Sequence, residues 1–391
     1  MKITQIEVLR MRAHAEPSNN WLFVRVHTDK GITGIGEGSL QYKDAALAAE
    51  IESFAAFLQG KDPFQIEHIW TSLFRRTTWS GGAVTMSAIS AIDLALWDIK
   101  GKALGAPVYE LVGGKVRDSV PLYANGWFTG DRPSAHGPRS GAAGEREWFA
   151  AQAQKVVEQG FSCLKVYPFS GSPQVIPQER LERGVGIVQA IREAVGPHIE
   201  IAVDVRARLN PWSIARVIPL LEPLDIAWLE EPILYDNPGT MAAVARSTRI
   251  PIATGEQLYN RWEFRPLLEL NAAKIIQPDI CHAGGMTELR KIAALADAYY
   301  VTLAPHNSNG PISTIASLHL DMSIPNCHRQ ELFLNSLPYY QEVLTKPIQI
   351  ENGYAAPPEG PGWGAELDDA VLAKYPPAQY TPIESEPYQA F

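Results

Sequence analysis

From residue 120 onward, short apolar runs alternate with longer stretches of helical periodicity. The runs lie at 120–124, 163–166, 199–203, 226–229, 250–253, 273–276, 301–304 and 329–332. Stretches such as 179–194, 285–298 and 310–320, with an apolar repeat every three or four residues, lie between them. Unbroken apolar runs of this length mark strands covered on both faces, and their alternation with helices predicts a parallel sheet. Eight such units in about 230 residues fit a (β/α)8 barrel, whose active site lies at the C-terminal rim. A six-stranded doubly wound sheet is the rival architecture. It brings a topological switch and a phosphate loop, and the sequence offers neither.

The pattern before residue 120 is different. Met1 to Val8 alternates polar and apolar positions, which predicts a strand and not a signal peptide. A second strand at 21–26, a turn at 28–31 and a third strand from 32 complete an antiparallel sheet. Gly34, Gly36 and Gly38 imitate a dinucleotide loop, but a hairpin precedes them and no βαβ unit follows. Helical periodicity covers 43–59, 65–75 and 84–104; in the last, Ile89, Ile92, Leu96 and Ile99 make a buried stripe. The expected layout is an α+β domain over 1–118, a barrel over 119–350, and a Pro- and Gly-rich segment over 351–391 that folds back on the first domain. The segment 130–145, rich in Gly, Pro, Ser and Arg, is expected to form a loop over the barrel mouth.

Composition narrows the class. A net charge of −9 in 391 residues argues against nucleic-acid or anionic-membrane partners. It leaves room for a small anionic substrate held by local cations. Three cysteines, Cys163, Cys281 and Cys327, show neither a disulfide framework nor zinc spacing, so a reducing cytoplasm is expected. No apolar run reaches the ~18 residues of a membrane helix.

Three of the expected strands end in a carboxylate: Asp204, Glu230 and Glu256, at equal intervals of 26 residues. Strand ends in a parallel barrel share one rim. Three anions gathered there repel one another unless a cation lies between them. All-oxygen ligands suit a hard divalent ion, most simply Mg²⁺, one per chain.

These acids, together with the stretch 91–102, Gln277-Pro278-Asp279, Pro305-His306 and the closing 360–364, resemble the enolase superfamily in its mandelate racemase-like branch. Leu303 to His306 and His282 to Gly285 are most similar to the sugar-acid dehydratases of the galactonate dehydratase type. The resemblance implies a modified barrel under an α+β cap built from the N-terminal segment and the C-terminal tail. It also implies Mg²⁺ held by Asp204, Glu230 and Glu256. Alternation alone leaves Glu230 and Glu231 open; family usage selects Glu230. Symmetric oligomers, dimer to octamer, are a further implication.

The chemistry implied is removal of a proton next to a carboxylate, through an enediolate whose charge a metal spreads. His306 is the candidate base. Asp279, at the end of the neighbouring strand, would fix its tautomer. Glu331 resembles the family's acid that hydrogen-bonds substrate. Lys165 and Tyr167 fall on one side of their strand; the family often has a second lysine where this chain has Tyr167. Lys165 is expected to stabilise the carboxylate, and Tyr167 either to act as acid or base with a lowered pKa or to bind a hydroxyl. Galactonate dehydratase-like enzymes place a His two residues after the first ligand, where this chain has Arg206. Arginine does not give up a proton near pH 7, but its fork can hold a hydroxyl or carboxylate. His14, Asn125 and Trp127 are further candidates for the substrate pocket.

The expected activity is Mg²⁺-dependent dehydration of a sugar acid, aldonate or aldarate, to a 2-keto-3-deoxy sugar acid. The alternatives are an epimerase, racemase or cycloisomerase using Tyr167 and His306 on opposite faces, and a non-catalytic metal-binding protein of the same fold.

Overall fold

The computed structural model describes residues 1–12, 20–76, 78–129 and 144–378. His14 and the expected mouth loop, apart from residues 144 and 145, lie outside the described residues.

The N-terminal layer begins with strands Ile3–Arg12, Asn20–Thr28 and Thr33–Glu37, paired antiparallel in chain order. Helices Asp44–Leu58, Ile66–Arg75 and Ala83–Leu104 follow. The last is buried along most of its length, because it lies between the sheet and the rest of the molecule. The alternating glycines of the third strand explain that close approach. A Cβ at Gly36 would fall 1.9 Å from the Ala91 carbonyl oxygen, and one at Gly34 would fall 2.1 Å from that of Ala95. These glycines therefore seat a helix on a sheet and hold no phosphate.

Strands Val120–Asn125, Cys163–Val166, Glu200–Asp204, Trp228–Glu230, Ile252–Thr254, Ile275–Ile276 and Thr302–Leu303 form a parallel succession. Gln330–Phe333 then pairs in parallel with Val120–Asn125. Thr302–Leu303 reaches the segment leading to the last strand through one bridge, Leu303 to Cys327, so the ring of ladder hydrogen bonds stays open there. Inside lie Tyr123, Cys163, Ala202, Trp228, Ala253, Ile275 and Ala304. Small residues make room for the Tyr123 and Trp228 rings, which meet edge-on with centroids 5.3 Å apart.

Two strands run one residue beyond their apolar runs, since Asp204 and Glu230 are themselves ladder partners. Apolar patterning misses this because both acids are buried.

After the barrel, the hairpin Gln349–Glu351 and Tyr354–Ala356 adds antiparallel to the start of Val120–Asn125. The chain then crosses to the N-terminal layer. Trp363 is fully buried, its indole N–H donates to Ile35 O at 2.9 Å, and its backbone N–H donates to Asp98 at 2.9 Å. Past helix Asp369–Lys374, Tyr375 O accepts from Arg12 N.

The N-terminal layer meets the barrel just past strand ends. Trp70 Nε1 donates to Gly284 O at 2.9 Å, Thr287 N donates to Asp93 at 3.0 Å, and Ser87 pairs with His282 at 2.9 Å. The layer thus covers part of the C-terminal rim, where strand-end side chains gather. Among the described residues no helix is long and apolar enough to cross a membrane.

Candidate active site

Asp204 and Glu230 stand side by side at paired strand ends, and Glu256 follows two residues beyond Ile252–Thr254. Each offers an oxygen, and the three oxygens lie within 4.8 Å of one another. The next acid, Glu231, takes another direction. Its φ of 43° turns the chain. Its carboxylate accepts from Thr254 Oγ1, from Gly255 N at 3.1 Å and from Gln257 Nε2 at 3.3 Å. Consecutive acids thus serve the cluster and the loop behind it.

The Lys165 ammonium reaches into the same group. It contacts Glu230, lies 2.7 Å from Glu331 and 3.5 Å from Asp204. Burial disfavours its charge, but Glu230 and Glu331 outweigh that and hold its pKa well above the usual lysine value. Lys165 is therefore a fixed cation. One ammonium does not balance Asp204, Glu230, Glu256 and Glu331. Asp204 shows the deficit: burial, then repulsion from Glu230, push its pKa well above the carboxylate range. Ligands about 2.1 Å from one Mg²⁺ lie up to about 4.2 Å apart. The three oxygens, within 4.8 Å of one another, need draw in only slightly to reach that span, and the surplus of negative charge around them suits a hard divalent cation.

Across the mouth, His306 Nδ1 is 2.7 Å from Asp279 Oδ2, and His306 Nε2 is 3.6 Å from Glu256. Asp279 also accepts from Cys281 N at 2.7 Å and from the Asn309 amide at 2.8 and 2.9 Å. Burial would raise the Asp279 pKa; the charge of His282 and the hydrogen bond and charge of His306 lower it below the usual value. An ionised Asp279 fixes the His306 proton on Nδ1 and leaves Nε2 facing the cluster. Burial works against the imidazolium, but Glu256, the Asp279 bond and Glu331 raise the His306 pKa to about 10. A cation on Glu256 would remove the strongest of these raising influences.

Asn125 joins the remaining residues. Its amide donates to Glu331 at 2.7 Å and to the Tyr167 hydroxyl, while Glu331 also accepts from Asn307 N at 2.8 Å. The Arg206 guanidinium lies 5.2 Å from the centre of the Tyr167 ring. A lowered Tyr167 pKa, one of the expectations above, does not follow from this setting. Burial, Glu331 and Asp204 outweigh the nearby Lys165 and Arg206, so the phenol is pushed above its ordinary value and keeps its proton near neutrality. Arg206 has a φ of 55°, and its backbone N–H donates to Asp204 at 2.6 Å. Trp127 is buried against Phe128 and Phe149, and its indole N–H donates to Lys165 O at 2.8 Å. This placement makes Trp127 a support of the Lys165 strand.

Comparison with known proteins agrees with this layout. Residues 3–113 match the mandelate racemase / muconate lactonizing enzyme N-terminal domain, and residues 148–371 match the enolase C-terminal domain-like family. The chain belongs to the mandelate racemase/muconate lactonizing enzyme family of the enolase superfamily. It is 37% identical to the D-galactonate dehydratase of Ralstonia pickettii (strain 12J), over 95% of this chain and 94% of that protein. It is 34% identical to the D-galactonate dehydratase of Variovorax paradoxus (strain S110), over 98% and 97%. A solved enolase superfamily member from Salmonella Typhimurium superposes with a TM-score of 0.89 at 34% identity, covering 96% of this chain and 98% of that one. A mandelate racemase/muconate lactonizing enzyme-like protein from Roseovarius sp. TM1035 gives 0.88 at 32% identity, covering 96% of each.

Within this family fold, several site residues carry no strong signal in the sequence. Asn309 and Asn307 hold Asp279 and Glu331, and His282 Nε2 lies 3.7 Å from Asp279. The close succession His306, Asn307, Asn309 is the one local hint, a cluster of short polar residues just past a strand end.

Proposed function

We propose that this protein is a Mg²⁺-dependent sugar-acid dehydratase that forms a 2-keto-3-deoxy sugar acid. The observation that carries the reading is the His306–Asp279 pair, with Nε2 3.6 Å from an acid of the three-carboxylate cluster. The names of the relatives support the reaction class.

Asp204, Glu230 and Glu256 would hold Mg²⁺, which when bound neutralises negative charge developing on the substrate carboxylate. His306 Nε2 takes the α-proton, and Asp279 stabilises the imidazolium that forms. Lys165 presents a fixed positive charge beside the same carboxylate, and Glu331 holds a substrate oxygen. The β-hydroxyl leaves with a proton from His306 on the same face, a syn elimination. Tyr167, with its proton firmly held, donates a hydrogen bond, and Arg206 binds a hydroxyl or carboxylate further along the substrate.

An epimerase or racemase needs a second base on the opposite face. Without an ion in the cluster, Glu230 and Glu331 hold Lys165 charged and burial holds the proton on Tyr167, so neither side chain is poised as one. Dehydration is thereby favoured. Incubating the purified protein with Mg²⁺ and a panel of mono- and di-acid sugars tests this. Semicarbazide-reactive keto acid is the expected product. Solvent deuterium entering the α-position without keto acid would overturn dehydration in favour of racemisation.

A further inference from the structure

Glu37 ends the third strand of the N-terminal sheet and is fully buried. Its carboxylate crosses to the barrel. Oε1 accepts from Gly310 N at 2.5 Å and from Ser39 Oγ at 2.6 Å, and Oε2 accepts from Ser313 N at 2.9 Å. Gly310 is the N-cap of helix Pro311–Ser323 and, as glycine, has no side chain of its own to cap it. Pro311 brings no N–H, and Glu37 takes up those of Gly310 and Ser313 at the positive end of the helix dipole. The fit leaves no slack: a Cβ at Gly310 would meet Glu37 Oε1 at 2.7 Å.

Three residues, Asn307, Ser308 and Asn309, connect Gly310 to His306. Within them, Asn307 N holds Glu331, Asn307 Nδ2 holds Thr314 Oγ1 at 2.8 Å, and Asn309 holds both oxygens of Asp279. The segment that carries His306 is thus tied to the strand end at one side and to a carboxylate of the N-terminal layer at the other.

We propose that Glu37 is a positioning residue for the reaction: by capping helix Pro311–Ser323 from the N-terminal layer, it sets the His306–Asn309 segment and so aligns His306 with Asp279. The inference rests on the reading of His306 as the base. It makes correct seating of the cap a condition for proton abstraction, apart from any contact between cap and substrate.

Glu37→Gln tests it, because the amide turns an NH₂ toward a backbone N–H. Gly310→Ala displaces the same carboxylate from the other side and covers the case in which Glu37→Gln does not fold. Two quantities are measured on Mg²⁺-loaded protein: kcat and KM on the acid selected by the panel, and the far-downfield proton resonance of His306 Nδ1–H, assigned through its loss in His306→Asn. In both test variants kcat is expected to fall on the order of tenfold to a hundredfold with KM within about twofold, as for a small misplacement of a catalytic group. The resonance is expected to shift or broaden. Folded variants with an unchanged resonance and kcat, or a loss confined to KM, would overturn the proposal. A displaced resonance with unaltered kcat would show that Glu37 seats His306 but would overturn its role in the reaction and, with it, the assignment of His306 as base.

Discussion

The amide nitrogen of Asn309 lies 2.9 and 2.8 Å from the two carboxylate oxygens of Asp279. Held in this way, with Cys281 N on one oxygen, Asp279 has a fixed direction from which to hold His306. The orientation of the imidazole is set before any substrate arrives.

His306→Ala should lower turnover by about 10²–10⁴-fold, the usual range for a positioned general base. Mg²⁺ binding, measured by titration calorimetry, should persist, because His306 lies outside the three-carboxylate cluster. Retained turnover would refute the base assignment.

Lys165→Met removes the ammonium that Asp204, Glu230 and Glu331 share. Breaking a buried ion pair by removing one partner costs about 3–5 kcal/mol. The metal-free variant should therefore unfold at markedly lower denaturant concentration, and added Mg²⁺ should recover part of the loss. Turnover should fall steeply even when Mg²⁺ saturates the protein.

For Tyr167→Phe, the structure points to a modest effect. The phenol keeps its proton, and the Asn125 amide retains Glu331 as a partner when the hydroxyl is gone. Loss of one hydrogen bond, about 0.5–1.5 kcal/mol, should lower kcat/KM by roughly tenfold or less. A collapse of kcat with unchanged KM would instead make Tyr167 the acid that protonates the leaving group.

Mg²⁺ affinity should rise with pH. Burial and Glu230 hold the Asp204 pKa well above its usual value, so at mildly acidic pH the ion must displace a proton to bind. Calorimetry in buffers of different ionisation enthalpy should show proton release that shrinks as pH rises. Affinity independent of pH on the acid side of neutrality would contradict the charge balance inferred for the cluster.

His319 provides a pH dependence remote from the site. It is fully buried; Nδ1 accepts from Tyr109 N at 3.1 Å, and the ring packs on Tyr109 and Trp363. Burial lowers its pKa to about 3. An unfolded histidine, near about 6.5, binds a proton that the folded one refuses, so stability from this group is present above that value and is lost as pH falls from there toward 3. The slope is about 1.4 kcal/mol per pH unit. In His319→Asn the acceptor for Tyr109 remains but does not titrate. Urea unfolding at pH 4 to 7 should give a flatter profile for this variant.

The sequence by itself determined the architecture and the places where chemistry collects. Apolar runs of strand length separated by helices specify a barrel with a separate N-terminal layer, because both signals are local and arise from what each element must bury. Carboxylates placed directly after those runs arrive at one rim for the same reason. Only the tertiary structure decided which polar groups meet. Glu230 turns toward the cluster and Glu231 away because of one left-handed residue, which alternation does not reveal. Glu37 finds its helix 273 residues along the chain, and Trp127 finds the backbone of Lys165. Tyr167 lies beside two cations yet is pushed up and not down, since the burial around it outweighs them. Such outcomes depend on direction, distance and desolvation across the fold, and no local pattern of residue types encodes them.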